Sequence, residues 1–321
     1  MSQLMNGDAN SKRLFALFAL LLAFSLTTAM TAGAQQLSDS QEPGSVLVFP
    51  LFEKGNSTFQ ISVACPTGAT CADPTDVDIK LHFVCPGSGE GTTCAERDFT
   101  LDTTVNGTIT FQTFASVPCN QGYLIAWVIR DSDGKNIKFD GLTGNAVIRE
   151  SANAVTSYNA IPIQAVSTLA TNAVVPGSPV LNFNGTTGYK AVTGVIIGNV
   201  KFDATGSNET ALVLLTLDVL SNRPNRQTFV DIIAYDRFEV PSSTSTNFTC
   251  VTETSLSDLG LNLIPGDYGL LTSSPAATAS GARVTLLGLI ITREPSKTAT
   301  ARHYAYPLLN DSSPVATSFV P

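Results

Sequence analysis

Two histidines, His82 and His303, are the only imidazoles in this 321-residue chain, so any Ser-His-Asp or Cys-His arrangement must use one of them as its base. His82 alternates with Asp78 and Lys80 in a strand-like run, which places the three on one polar sheet face open to water. His303 stands in Arg302-His303-Tyr304-Ala305-Tyr306, an aromatic strand near the C-terminus. The G-x-S-x-G turn that presents a nucleophilic serine is absent, because Pro86-Gly87-Ser88-Gly89 has a glycine in the wrong place. Gly185-Thr186-Thr187-Gly188-Tyr189-Lys190 lacks the spacing of a phosphate loop. Paired carboxylates serve glycosidases without any histidine. Asp231, Asp236 and Glu239 gather around one strand, but positions 231 and 236 differ in parity and face opposite ways. The expectation is a chain without a catalytic set, and a carboxylate-based hydrolase is only the third reading.

The most site-like stretch is Asp131-Ser132-Asp133-Gly134-Lys135-Asn136. Asp131, Asp133 and Asn136 are candidate calcium ligands, since calcium takes six to eight oxygens. Asp-Gly between two strands is also a strong hairpin signal, and the run lacks the bidentate glutamate of a calcium loop. The hairpin is therefore the expected reading, and no other cofactor is implied. Tyr235, Phe238, Tyr304 and Tyr306 are candidates for stacking on a sugar ring, provided they face solvent.

Six cysteines, Cys65, Cys71, Cys85, Cys94, Cys119 and Cys250, allow three disulfides in 15 pairings. Two loops look alike: each leaves a strand-like run, turns through proline and glycine, and returns to cysteine. On that likeness the expected bonds are Cys65–Cys71 and Cys85–Cys94, leaving Cys119–Cys250. The spacings are not C-x2-C and histidines are scarce, which disfavours zinc.

The elements that must carry these residues read as strands. Ser45 to Phe52 is an apolar run broken at Pro50, and Thr58 to Val63 alternates strictly. Val77, Ile79, Leu81 and Phe83 share one face of the next strand. Phe99 to Phe114 holds two strands around Asn106-Gly107, and matching their apolar sides requires a three-residue loop or no simple hairpin. Tyr123 to Ile129 is apolar on both faces and carries the only tryptophan, Trp127, which marks a central strand. Val147 to Val175 breaks the rhythm and suggests a connection with a short helix near Ala152 to Tyr158. Strands resume at Ala191 to Val200, Ala211 to Leu220, Thr228 to Tyr235, Asn247 to Thr252, Ala282 to Thr292 and His303 to Leu309, while Thr272 to Gly281 reads as loop. The fold class is all-β, an Ig-like β-sandwich arranged as two packed sandwich domains.

Lys12-Arg13, the apolar run Leu14 to Leu26 and Ala32-Gly33-Ala34 form the three parts of a secretory signal peptide. The expected organisation is a signal peptide over 1–34, a flexible lead over 35–44, an N-terminal sandwich over 45–146, a connecting segment over 147–188, a C-terminal sandwich over 189–310 and a tail over 311–321. The net charge of −8 argues against nucleic acid and anionic lipid as partners, and no membrane insertion is expected after cleavage. Charged residues are only 14%, so Thr, Ser, Asn and Gly must cover much of the surface.

The opening GSVLVFPLF, the NSTFQISV and DIKLHFVC strands and the PSSTSTNFTC segment resemble parts of a family of uncharacterised secreted bacterial β-rich proteins. The resemblance implies a secreted bacterial β-protein and carries over no activity and no functional residue. The first expectation for function is a secreted or cell-envelope β-sandwich with a structural or adhesive role, whose partner is a cell-surface polymer or a second copy of the chain. The alternative is an extracellular carbohydrate- or ligand-binding module. Either places the protein in the periplasm, at the cell surface or in the medium.

Overall fold

Alternating polarity becomes strand throughout the protein, and no helix occurs among the described residues. The structure, a computed structural model, describes residues 36, 38–39, 41–69, 71, 77–87, 94–149, 154–193, 195–202, 209–217, 228–261, 267–275, 285–293, 301–307, 309–310, 314–315 and 317–319. The signal segment lies outside them. Gln35–Pro321 is one compact unit. Its strands in the first half are β1 (Val46–Glu53), β2 (Ser57–Val63), β3 (Val77–Val84), β4 (Glu96–Asp102), β5 (Thr108–Gln112), β6 (Gln121–Arg130), β7 (Leu142–Arg149), β8 (Ala154–Asn159) and β9 (Ile161–Ile163). The second half adds β10 (Leu181–Phe183), β11 (Val192–Thr193), β12 (Ile196–Phe202), β13 (Glu209–Leu215), β14 (Thr228–Tyr235), β15 (Pro241–Phe248), β16 (Val251–Ser255) and β17 (Asp267–Pro275). After these come β18 (Leu287–Arg293), β19 (Ala301–Pro307), β20 (Leu309–Asn310), β21 (Pro314–Val315) and β22 (Thr317–Phe319).

A five-stranded sheet of order β4-β3-β6-β1-β9 occupies the core, with β6 buried along both faces. One face joins the neighbouring sheet through a seam of phenylalanines. Phe59 on β2 lies 5.2 Å from Phe49, 6.2 Å from Phe83 and 5.3 Å from Phe111, centroid to centroid. Phe99 stacks on Phe114 at 4.0 Å. On the other face the polar tips of the two large rings are hydrogen-bonded. The Trp127 indole donates to Asn136 Oδ1 at 2.9 Å, and the Tyr123 hydroxyl donates to the Thr216 carbonyl at 3.2 Å. Gly122 is required beside them, because a Cβ there would stand 2.1 Å from the Val84 carbonyl oxygen.

The largest sheet has eight strands in the order β16-β13-β18-β19-β8-β7-β2-β5 and draws on both halves of the chain. The sandwich class is as expected, but 147–188 does not separate two sheets: β8 pairs antiparallel with β7 and parallel with β19. Strand alternation also divides β13 and β18 between two cores. Val213, Leu215, Leu289 and Ile291 enter the phenylalanine core, whereas Leu212, Leu214 and Ile290 pack with Ile196, Val230, Ile232 and Ala234. The second set of residues lies beneath a five-stranded sheet of order β15-β14-β17-β12-β20.

Several local expectations change with pairing. The helix expected near 152–158 is strand from Ala154, since β7 and β19 supply its hydrogen bonds. Residues 272–275 belong to β17 rather than a loop; 276–281 lie outside the described residues. The strand expected over 247–252 is two, turning where Cys250 takes φ +70°. The lead is fastened, with Ala191 N donating to the Gln36 carbonyl at 2.7 Å, and the tail supplies β21 and β22 to pair with β11 and β10. No hairpin forms at Asn106, because β4 and β5 join different sheets.

The disulfides are Cys65–Cys71, Cys85–Cys119 and Cys94–Cys250. The expected Cys85–Cys94 and Cys119–Cys250 bonds are thereby corrected. In the β3–β4 register Val84 faces Glu96, and Cys85 N donates to the Ala95 carbonyl. Cys85 therefore shares a face with Ala95, and Cys94 projects to the opposite side. Three disulfides point to an oxidising compartment. Replacing both Cys94 and Cys250 by alanine opens a loop of 156 residues. The expected loss is about 5 kcal/mol of stability on a chain-entropy basis. Urea unfolding measures it, and peptide mapping without reductant checks the three bonds.

Candidate functional site

The stacking candidates fall on or beside strands of two different sheets, β14 and β19. Tyr235 ends β14 half-buried, whereas Phe238 in the following turn is 62% exposed. Tyr304 and Tyr306 lie on β19, opposite Thr292 and Ile290 of β18; their strand is described but their rings lie outside the described residues. His303 shares that strand, and its side chain is likewise outside them.

A different set surrounds Phe238. Thr228, Val230, Ile232 and Ala234 turn into the core, so Phe229, Asp231 and Ile233 turn outward. Asp236 builds the turn: its Oδ1 accepts from the backbone N–H of Phe238 at 2.8 Å and of Val240 at 2.9 Å, and Glu239 takes φ +61°. Phe238 and Val240 are thereby held in solvent, and the Arg237 guanidinium carbon lies 4.7 Å from the Phe238 ring centroid. Phe229, Ile233, Phe238 and Val240 are exposed along β14 and its turn, with the outward Asp231 between Phe229 and Ile233. Sequence reasoning missed Phe229, Ile233 and Val240. Their signal was a strand apolar at nearly every position except Asp231, whose side could be assigned only once the other face was buried. Asp231 and Asp236 are divided as parity suggested, with one on the sheet face and the other spent on turn geometry.

The calcium candidates are also divided. The Asp131–Lys135 stretch makes the expected turn, with Gly134 at φ +66° and its N–H donating to the Arg130 carbonyl at 2.7 Å. Asp133 lies 3.3 Å from Arg130 and 3.4 Å from Lys135. Asn136 is buried, where it accepts from Trp127 and donates through Nδ2 to the Pro179 carbonyl at 2.9 Å. Among the described residues no group of three or more His, Cys, Asp or Glu side chains is placed to hold a metal ion.

His82 departs furthest from its expected place. It is 1% exposed rather than solvated, because β4 pairs over it. Its Nδ1 contacts Asp98, its Nε2 lies 3.3 Å from Glu96, and Lys80 lies 3.5 Å from Asp98. Burial pulls the imidazole toward the neutral form, but hydrogen bonds to Asp98 and Glu96 and their charges outweigh it and raise its pKa above 6.5. The His82 hydrogen bond leads the causes that hold Asp98 below its ordinary value of 3.8, against the opposing effect of burial. Carboxylates beside both nitrogens favour the protonated ring, which would donate from both.

No protein-family model matches the chain, and no curated protein matches it. The chain is similar over 85% of its length to the crystal structure of Streptomyces avermitilis alpha-L-rhamnosidase complexed with L-rhamnose, at 8% identity and a TM-score of 0.20. It spans 28% of that enzyme's chain. A likeness at this level carries no argument about what this protein binds or does.

The His82 cluster gives a stability profile with a definite sign. The raised imidazole contributes fully below its ordinary pKa of 6.5 and loses that contribution as pH rises through its folded value. The lowered Asp98 contributes above 3.8 and loses it as pH falls through its folded value. Thermal stability is therefore expected to peak between these limits and to decline on both sides. His82→Gln should flatten the alkaline decline, which melts across the pH range would measure.

Proposed function

We propose that this protein is a non-catalytic, secreted or cell-envelope β-sandwich with a structural or adhesive role, and that it self-associates through the β14 strip. The observation that carries the reading is the exposure of Phe229 (48%), Ile233 (36%), Phe238 (62%) and Val240 (58%) along one strand and its turn. Large apolar side chains exposed together on one strand and its turn support an interaction site. The occupant is a second copy of the chain. Among the described residues β15 ends its sheet, and its outward residues Ser243, Ser245 and Asn247 are uncharged, so nothing in the strand repels a second β15. Antiparallel pairing of the two β15 strands would be self-complementary and would bring both β14 strips onto one continued face. The disulfides support an oxidising location, and the signal-peptide pattern supports export.

The second reading is a carbohydrate-binding module, favoured by one observation: the Phe238 ring is held in solvent by the Asp236 turn. Light scattering over a concentration series separates the two. The intact protein should form dimers or larger assemblies, and Phe229→Ser with Phe238→Ser should leave monomers with an unchanged melting temperature. A wild-type protein that stays monomeric at every concentration would refute self-association.

A further inference from the structure

The outer face of β5, β2, β7 and β8 carries rows of side chains set by the strand register. Thr110, Gln60, Asn145 and Asn159 lie in line across the four strands. Thr108, Ser62 and Thr143 form the next row, and Gln112, Thr58, Val147 and Ser157 the row on the other side. Not one of these positions is charged, whereas about 25–35% of an ordinary surface is Lys, Arg, Glu or Asp. Strands spaced about 4.8 Å apart make the row from Thr110 to Asn159 about 14 Å long.

This face has unmet hydrogen-bonding capacity. Ser62 and Thr108 bond each other at 2.9 Å, but the side chains of Gln60, Asn145 and Asn159 have no hydrogen-bond partner among the described residues. An amide presents two donors and an acceptor side by side, which matches a sugar hydroxyl that both donates and accepts. The row also runs into a cleft of about 380 Å³. Ser62, Thr143, Asn145 and Asn159 line it, together with Leu47 and Pro162. Polar groups at the margin and apolar atoms among the lining suit the hydroxyls and the C–H face of one sugar ring. Gly144, in the same lining, faces the buried core and leaves room there for Phe49 and Leu47. A Cβ there would stand 2.8 Å from Phe49 and 3.0 Å from Leu47.

We infer that this face binds a neutral, hydroxyl-rich polysaccharide, with the chain lying along the Gln60–Asn145–Asn159 row and one ring entering the adjoining cleft. The uncharged rows and the Glu42 carboxylate in the cleft lining disfavour anionic glycans; Arg149 is exposed one row further along β7. The site is on a different sheet from the β14 strip and does not depend on self-association.

Depletion of the full chain by cellulose, chitin and insoluble starch, with alginate as the anionic control, tests the inference. At least one neutral polymer should deplete the wild-type protein, alginate should not, and added salt should leave binding unchanged because no charge pair is involved. Asn145→Asp combined with Asn159→Asp should weaken binding about tenfold. Gln60→Lys, at an exposed position that does not test folding, should weaken it similarly. Phe238→Ser should bind as wild type. The inference is overturned if no neutral polymer depletes the protein, if Gln60→Lys binds as wild type, or if Phe238→Ser alone abolishes binding, which would move the site to the turn after β14. Light scattering of the same variants keeps a failure here distinct from a failure of self-association.

Discussion

The burial of β6 on both faces is the constraint from which most of the architecture follows. A strand with no wet face needs neighbours on both edges and cover above and below. β1 and β3 supply the edges, and the phenylalanine seam covers one face. The other face holds Tyr123 and Trp127, whose polar tips cannot be left unpaired in an apolar setting. Asn136 answers Trp127 and is anchored in turn to Pro179; the Thr216 carbonyl answers Tyr123. Two hydrogen bonds thus fix where the segment after β6 returns and where the second half of the chain meets the first.

β13 and β18 extend the same logic. Each gives alternate residues to two cores, so neither sheet-bearing half can be lifted away without exposing apolar surface. What remains available for recognition is outer surface. The β14 face carries exposed apolar residues around Asp231, the β5-β2-β7-β8 face carries uncharged polar rows with Arg149 beyond them, and the two suit different partners.

Much of this was legible in the sequence where one strand decides its own environment. Tyr123 to Ile129 reads as central because every position is apolar, and Asp131 to Lys135 reads as a turn from its glycine and aspartates. Environments set by a second strand were not legible. His82 lies among Asp78 and Lys80 in a run that looks solvated, and only the pairing of β4 brings Glu96 and Asp98 over it. Cysteine pairing failed for the same reason: the loop from 85 to 94 is short enough to close, but the register turns its two ends to opposite faces. The polar rows were hidden as well, since Gln60, Asn145 and Asn159 stand far apart in the chain and meet only through register.

The Cys94–Cys250 bond has a consequence for proteolysis. It closes a covalent ring containing every strand from β4 to β15. A protease that cuts the backbone once anywhere inside that ring releases nothing, because both pieces remain joined through the sulfurs. Sheet pairing between them is then an intramolecular matter at high effective concentration. A nick that would dissociate an open chain becomes a wound the fold can hold shut.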